Sequence, residues 1–241
     1  MMALNLITST KRQLHRDICS DPVLHGLVLN LYLNGEEYPH RVSDYFPIAD
    51  TEEPELAEMM RNHLRDEDKH IALYRKAVRN LEQPVLVLPM TDIFNHVIRS
   101  HTADSFAFGP WESRDGKRAK LANFFAHLHF LEKRVVESLE YHLDACVHSP
   151  SDYPEKIIRI VLADERRHAD YTRDAVMELV PRKAALATLE RHEAAEARAN
   201  LEFSRGQLGR LLREHGRRFP RSRRWLYRAS CRYLEGAQAR A

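Results

Sequence analysis

Glycine is scarce in this sequence. Eight glycines among 241 residues leave few positions for tight turns, which argues against folds built from many short strands. Cysteine is scarcer. Cys19, Cys146 and Cys231 are scattered and odd in number, a pattern that shows neither a disulfide framework nor a cysteine-based metal motif. A reducing cytoplasm is therefore the expected compartment. Long apolar runs are missing as well: stretches such as Val85 to Met90 fall far short of a bilayer span. Met1-Met2-Ala3-Leu4 does not lead from a basic segment into an apolar one, so no signal peptide is expected.

What the chain has instead is charge on helix-forming stretches. Charged residues make up 30% of it, interleaved with alanine and leucine, and the expected class is all-α. The length suits one large domain with extensions. The net charge of +2 hides an asymmetry: residues 182–241 hold 15 Lys/Arg against 6 Glu and no Asp, or +9, which leaves −7 for the other 181 residues.

Hydrophobic periodicity and breakers divide the chain into an arm or lead-in helix (1–20), a bundle (21–181), an accessory helix (182–216) and a basic tail (217–241). In the bundle, Asp21-Pro22 reads as an N-cap followed by proline at the first helical position. The first bundle helix carries Leu24, Leu27, Val28, Leu31 and Tyr32, and Gly35 with Pro39 should kink or end it. A second starts near Glu53-Pro54. Residues 84–119 are irregular, with a short helix over 92–99 and a turn-rich loop at Gly109-Pro110-Trp111. The third helix spans about 119–147, the fourth starts after Ser151-Asp152 and stops before Pro181, and a charged fifth covers 183–215.

Two short runs stand out, ninety-eight residues apart: Asp66-Glu67-Asp68-Lys69-His70 and Asp164-Glu165-Arg166-Arg167-His168. Both read Asp-Glu-x-Lys/Arg-His. Residues i and i+3 share a helix face, so each run aims a carboxylate and an imidazole the same way. A third Glu-x-x-His match, Glu37 to His40, contains Pro39 and has no partner, as a chance match would. Glu67, Glu132 and Glu165 each interrupt an otherwise apolar stripe. Burying a carboxylate unpaired costs several kcal/mol, and no Lys or Arg lies on those stripes, which leaves a metal as the natural counter-charge.

Glu132 precedes Glu165 by 33 residues, so a fourth acid belongs about as far before Glu67. Glu36 and Glu37 both qualify. Glu36 is preferred because it continues the face of Leu29 and Tyr32, whereas Glu37 continues Asn30 and Asn34. Four carboxylates and two neutral imidazoles balance two divalent cations, and such donors suit iron or manganese, including a mixed pair, better than zinc. The imidazoles of His70 and His168 need acceptors at their second nitrogens, which Asp66 or Asp164 could supply across the bundle. His63 reads as a core histidine or a supporting one, and Tyr74 as a core tyrosine with a bonded hydroxyl rather than a redox-active one. His127, His129 and His142 read as surface or boundary residues, and Phe106, Phe108 and Trp111 as loop aromatics packed on the bundle.

Taken together, Glu36, Glu67, His70, Glu132, Glu165 and His168 resemble the pattern of the ferritin-like diiron-carboxylate superfamily, in its oxygen-activating rather than its iron-storing form. The resemblance covers about residues 21–180. It implies a ferritin-like four-helix bundle with an additional C-terminal helix and basic tail. These six residues would be both metal ligands and the catalytic apparatus, and two iron ions the cofactor. It also implies oxidation by O2 of a small-molecule or carrier-bound substrate, and electrons from a donor protein. The other expectation from the same ligands is a non-enzymatic iron-binding or storage bundle. The chain could pair as a homodimer, and the arginine-rich tail with its Phe219, Trp225 and Tyr227 could meet an acidic protein, a nucleic acid or an anionic membrane surface, or stay solvated.

Overall fold

Helix starts in this chain are set by proline and by side-chain caps. In the computed structural model, which describes residues 2–43, 45–102, 108 and 113–238 (side chains from residue 8), Asp21 Oδ1 accepts from the backbone N–H groups of Val23 and Leu24, at 2.9 and 3.1 Å, with Pro22 at the first helical position. Pro54 and Pro154 open two further helices, and Ser113 caps a third through its hydroxyl. The described residues form helices and connecting segments, with no strand among them. The helices are α1 (Met2–Cys19), α2 (Pro22–Glu36), α3 (Tyr38–Arg41), α4 (Pro54–Asn80), α5 (Phe94–Ser100), α6 (Arg114–Ala145), α7 (Tyr153–Leu179), α8 (Arg182–His215) and α9 (Arg221–Gln238).

The break expected at Gly35 and Pro39 separates α2 from the single turn of α3. The third bundle helix starts five residues earlier than its apolar stripe suggests, because Ser113 and Asp115 make a good first turn before the first buried residue, Leu121. The arm before residue 20 is a full helix. The segment read as a basic tail is helical too, and it folds back on α1. Tyr227 is fully buried, its hydroxyl donating to Asp17 Oδ2 at 2.6 Å, and Arg218 pairs with Asp21 at 2.9 Å. Ile18, Leu24, Val28, Leu208, Leu211 and Phe219 fill the space between these ends. Phe106 and Trp111 lie outside the described residues; Phe108 packs at the edge of the core.

The core has two apolar blocks. One holds Leu56, Met60, Phe124, Phe125, Leu128, Val176 and Leu179; the other holds Leu29, Leu33, Ile71, Tyr74, Val78, Leu139, Ile158 and Leu162. Along α4 and α6 the chain passes from the first block to the second. Along α7 it passes back, and α2 leaves the second block towards the middle. So α2 and α7 run one way, α4 and α6 the other, and α6 starts at the end of the bundle opposite to that where α4 stops. Two asparagines of α2 hold its first stretch. Asn30 Oδ1 accepts from the Leu86 N–H and its amide donates to the Pro84 carbonyl; Asn34 does the same for Leu88 and Leu86, all at 2.8 to 3.0 Å. Extended chain thus finds on a helix the donors and acceptors it would find on a strand. Between the two apolar blocks lies a polar layer, and the residues singled out above converge there.

Candidate metal centre

Each helix lends this layer residues from one face. On α4, His63, Glu67 and His70 follow one another at four and three residues, with Met60 below them and Tyr74 above. On α7, Glu165 and His168 repeat the arrangement, while α6 contributes Glu132 and α2 its last residue, Glu36. All seven are buried. Glu36, Glu67, His70 and Glu165 each bring one donor atom within 4.8 Å of the others, and His63, Glu132 and His168 form a second such group.

One carboxylate joins the two groups. Glu165 Oε1 lies 3.1 Å from His70 Nδ1, and Glu165 Oε2 lies 3.0 Å from His168 Nδ1. Glu67 spans them as well: its Oε1 is 3.0 Å from His63 Nε2, and it is hydrogen-bonded to Glu36. Glu132 closes the second group from α6, 3.5 Å from His63 Nε2. Of the two acids considered on the first helix, Glu36 faces the layer. Glu37 points outwards and pairs with Arg41 at 2.8 Å and Arg75 at 2.5 Å.

Each position of the repeated run has a separate task. The inward nitrogens of His70 and His168 are Nδ1. Their Nε2 atoms reach across the bundle to the acid of the other run, His70 to Asp164 at 3.1 Å and His168 to Asp66 at 3.3 Å. An N–H donated there anchors Nε2, so it is Nδ1 that faces the centre, where a metal would have to displace its proton. Lys69 and Arg167 then clamp both aspartates: Lys69 Nζ is 2.7 Å from Asp66 and 2.5 Å from Asp164, while Arg167 is 3.1 and 2.6 Å from the same two. Lys69 thus pairs within its own run and also ties the two runs together.

Carboxylates packed this closely oppose each other's charge. Burial, reinforced by Glu36, pushes the Glu67 carboxyl up to about 8 even though His63 pulls the other way. Burial and the facing Glu165 and Glu67 raise Glu132 well above the usual carboxylate range. Burial opposes the charge on Glu165 too, but hydrogen bonds from His168 and His70 outweigh it and hold that carboxyl low. For His70, burial favours the neutral ring, yet Glu36 and Glu165 carry it up to about 12. The layer therefore attracts positive charge and has only protons of its own to supply it. Four carboxylates and three inward-facing imidazoles, in two groups joined by two shared acids, fit a pair of bound metal ions.

Two contributors escaped the sequence reading. Read as core or supporting, His63 faces the centre and stacks on His168 with ring centroids 3.7 Å apart. Tyr171 was not singled out; its hydroxyl lies 2.8 Å from His63 Nδ1, and its position three residues after His168 was the available sign. Phe46 and Phe124 line the His63 side, with Phe46 5.1 Å from the His63 ring and 5.7 Å from Phe124. Tyr74 is buried as expected, but its hydroxyl makes no hydrogen bond among the described residues. His127 and His142 are buried rather than at the surface. Compared with known proteins, the chain matches no family model, no curated protein and no solved structure at a significant level.

Proposed function

We propose that the polar layer is a dinuclear iron centre in a bundle of ferritin-like type, and that the protein uses O2 to oxidise a substrate. The observation that carries this reading is Glu165, whose two oxygens face His70 and His168 at 3.1 and 3.0 Å and so address two metal positions at once. Glu36 and His70 would hold one ion, Glu132, His63 and His168 the other, and Glu67 and Glu165 both. Oxygen and nitrogen donors without sulfur suit iron; manganese, or one ion of each, fits the same set. The parallel and antiparallel order of α2, α4, α6 and α7, with its long crossing connection, supports the ferritin-like assignment.

A pair of bound iron ions supplies the redox chemistry towards O2 that no side chain has. The chain's part is to hold and to exclude. Asp66 and Asp164 hold the Nε2 protons of His168 and His70, so it is Nδ1 that each ring would offer to a metal. The apolar blocks above and below keep water from the layer, and Phe46, Phe124 and Tyr171 give it an aromatic wall on the His63 side. An acidic electron donor or a carrier-bound substrate would find its complement in the arginine-rich C-terminal quarter. The test is iron per chain and O2 uptake by the chemically reduced protein. Two irons at the centre, a visible change on adding O2 and uptake that ends when the pair is oxidised are expected. Iron accumulating to many ions per chain would move the protein to storage, and absence of iron or manganese would remove the centre.

A further inference from the structure

A second cluster of ligating side chains sits where α1 ends, α2 begins and α6 runs out. Cys19 is the last residue of α1, His25 lies in the first turn of α2, His142 in the last turn of α6, and Cys146 in the 3-10 turn that follows (Cys146–His148). All four are buried, and one donor atom of each lies within 4.8 Å of those of the other three. The two thiols are free.

The histidines carry the argument. Their Nε2 atoms stand 2.8 Å apart. At the other nitrogen each ring meets a hydroxyl: Ser149 Oγ is 3.3 Å from His25 Nδ1, and the Tyr32 hydroxyl is 3.2 Å from His142 Nδ1, with Ser138 Oγ 3.2 Å beyond it. At 2.8 Å one Nε2–H donates to the other Nε2 in the metal-free chain, and the hydroxyls, able to donate or accept, suit either tautomer at Nδ1. A cation that displaces the shared proton would take both Nε2 lone pairs and leave both rings donating Nδ1–H to these oxygens. A tetrahedral zinc ion, with bonds of roughly 2.0 Å to nitrogen and 2.3 Å to sulfur, sets its ligand atoms about 3.3 to 3.8 Å apart. The nitrogens need separate by only about half an ångström to accept it.

We propose that Cys19, His25, His142 and Cys146 form a second metal site, which holds one structural zinc ion and ties α1, α2 and the end of α6 together. Two thiolates and two neutral imidazoles cancel the charge of a divalent cation, so the filled site is neutral and suited to burial. Four protein ligands close the coordination, as in structural rather than catalytic zinc sites. The soft sulfur donors also distinguish it from the carboxylate layer, so one chain can sort two metals between two sites. This inference does not depend on what the carboxylate layer binds.

The test uses the full chain purified under reducing conditions without chelator, with zinc and iron measured separately. One zinc per chain is expected, retained in Glu165→Ala, whereas the Cys19→Ser, Cys146→Ser double variant loses zinc and keeps iron. Cobalt(II) added to the zinc-stripped wild-type chain should give a thiolate-to-cobalt charge-transfer band and the intense visible absorption of a tetrahedral ion. This reading requires no variant to fold. A wild-type chain that takes up neither zinc nor cobalt at sulfur overturns the proposal. So does a denatured, unreduced chain short of two thiols, because Cys19 and Cys146 would then be joined to each other.

Discussion

The carboxylate layer and the Cys/His cluster occupy the same bundle and recruit their donors in opposite ways. The layer takes seven residues from the faces of α2, α4, α6 and α7, between two apolar blocks, where helices pack side by side. The cluster takes four residues from helix ends and the turn beyond one of them. In the layer, hard oxygen donors repel each other and bring their own clamps, Lys69 and Arg167. In the cluster, the donors are soft and need no salt bridge, only hydroxyls to orient two rings. Position along a helix therefore decides which chemistry is available. Mid-helix positions supply a repeating pair of faces, whereas ends bring together residues distant in sequence.

The sharpest way to break this comparison is Glu165→Ala. It removes the acid shared by both groups of the layer, so iron loading should vanish from both positions while zinc and helix content persist; metal analysis and circular dichroism check it. Normal iron loading would remove Glu165 from the ligand set. Next in size, Asp66→Asn or Asp164→Asn should weaken metal binding at the layer roughly 10- to 100-fold, since each aspartate orients a histidine of the other run. Titration with iron(II) under anaerobic conditions reads this directly.

Acidity should separate the two regions. In the metal-free chain Glu67 keeps its proton up to about 8, and His70 keeps its own to about 12. Loading must therefore expel protons, and affinity should fall as pH drops, more steeply below about 8 where Glu67 is protonated too, as proton release on iron(II) addition would show. In the cluster the shifts have the opposite sign, and acid acts there on stability rather than on proton release by a metal. Burial lowers His25 to about 4, and burial with the neighbouring His25 and His15 holds His142 well below its usual value. The folded metal-free chain thus binds fewer protons there than the unfolded chain. Stability from these rings is present above about pH 6.5 and is lost as pH falls towards 4. Hydrogen exchange should show the joined ends of α1 and α6 loosening in acid before the middle of α4 and α7 does. The smallest effect is expected from Glu37→Gln, which loosens a partly exposed pairing with Arg41 and Arg75: below about 1 kcal/mol in denaturant unfolding, with no change in metal content.

Much of this layout was legible in the residues, and what was not has a common cause. The repeat of Asp-Glu-x-Lys/Arg-His, with Glu132 thirty-three residues before Glu165, marked six of the seven side chains that converge, because helix periodicity turns spacing into direction. Spacing admitted both Glu36 and Glu37, and the face of Leu29 and Tyr32 favoured Glu36; the Asn30 and Asn34 face is taken by the crossing connection. His63 was harder to read, for a histidine on an apolar stripe carries the same signal whether it faces a metal or a ring. The Cys/His cluster was illegible. His25 and His142 are 117 residues apart and meet only because two helix ends do, and local spacing holds no information about that. The C-terminal segment was harder to read for a related reason: its arginines gave no sign that Tyr227 and Phe219 pack against α1 and α2.

The crossed pairing of His70 with Asp164 and of His168 with Asp66 also bears on how α4 and α7 find each other. Sliding one helix past the other by a single position would part both pairs at once and leave Lys69 and Arg167 facing the wrong neighbours. The crossed pairs and their shared cations thus specify one alignment of α4 and α7 without help from an ion.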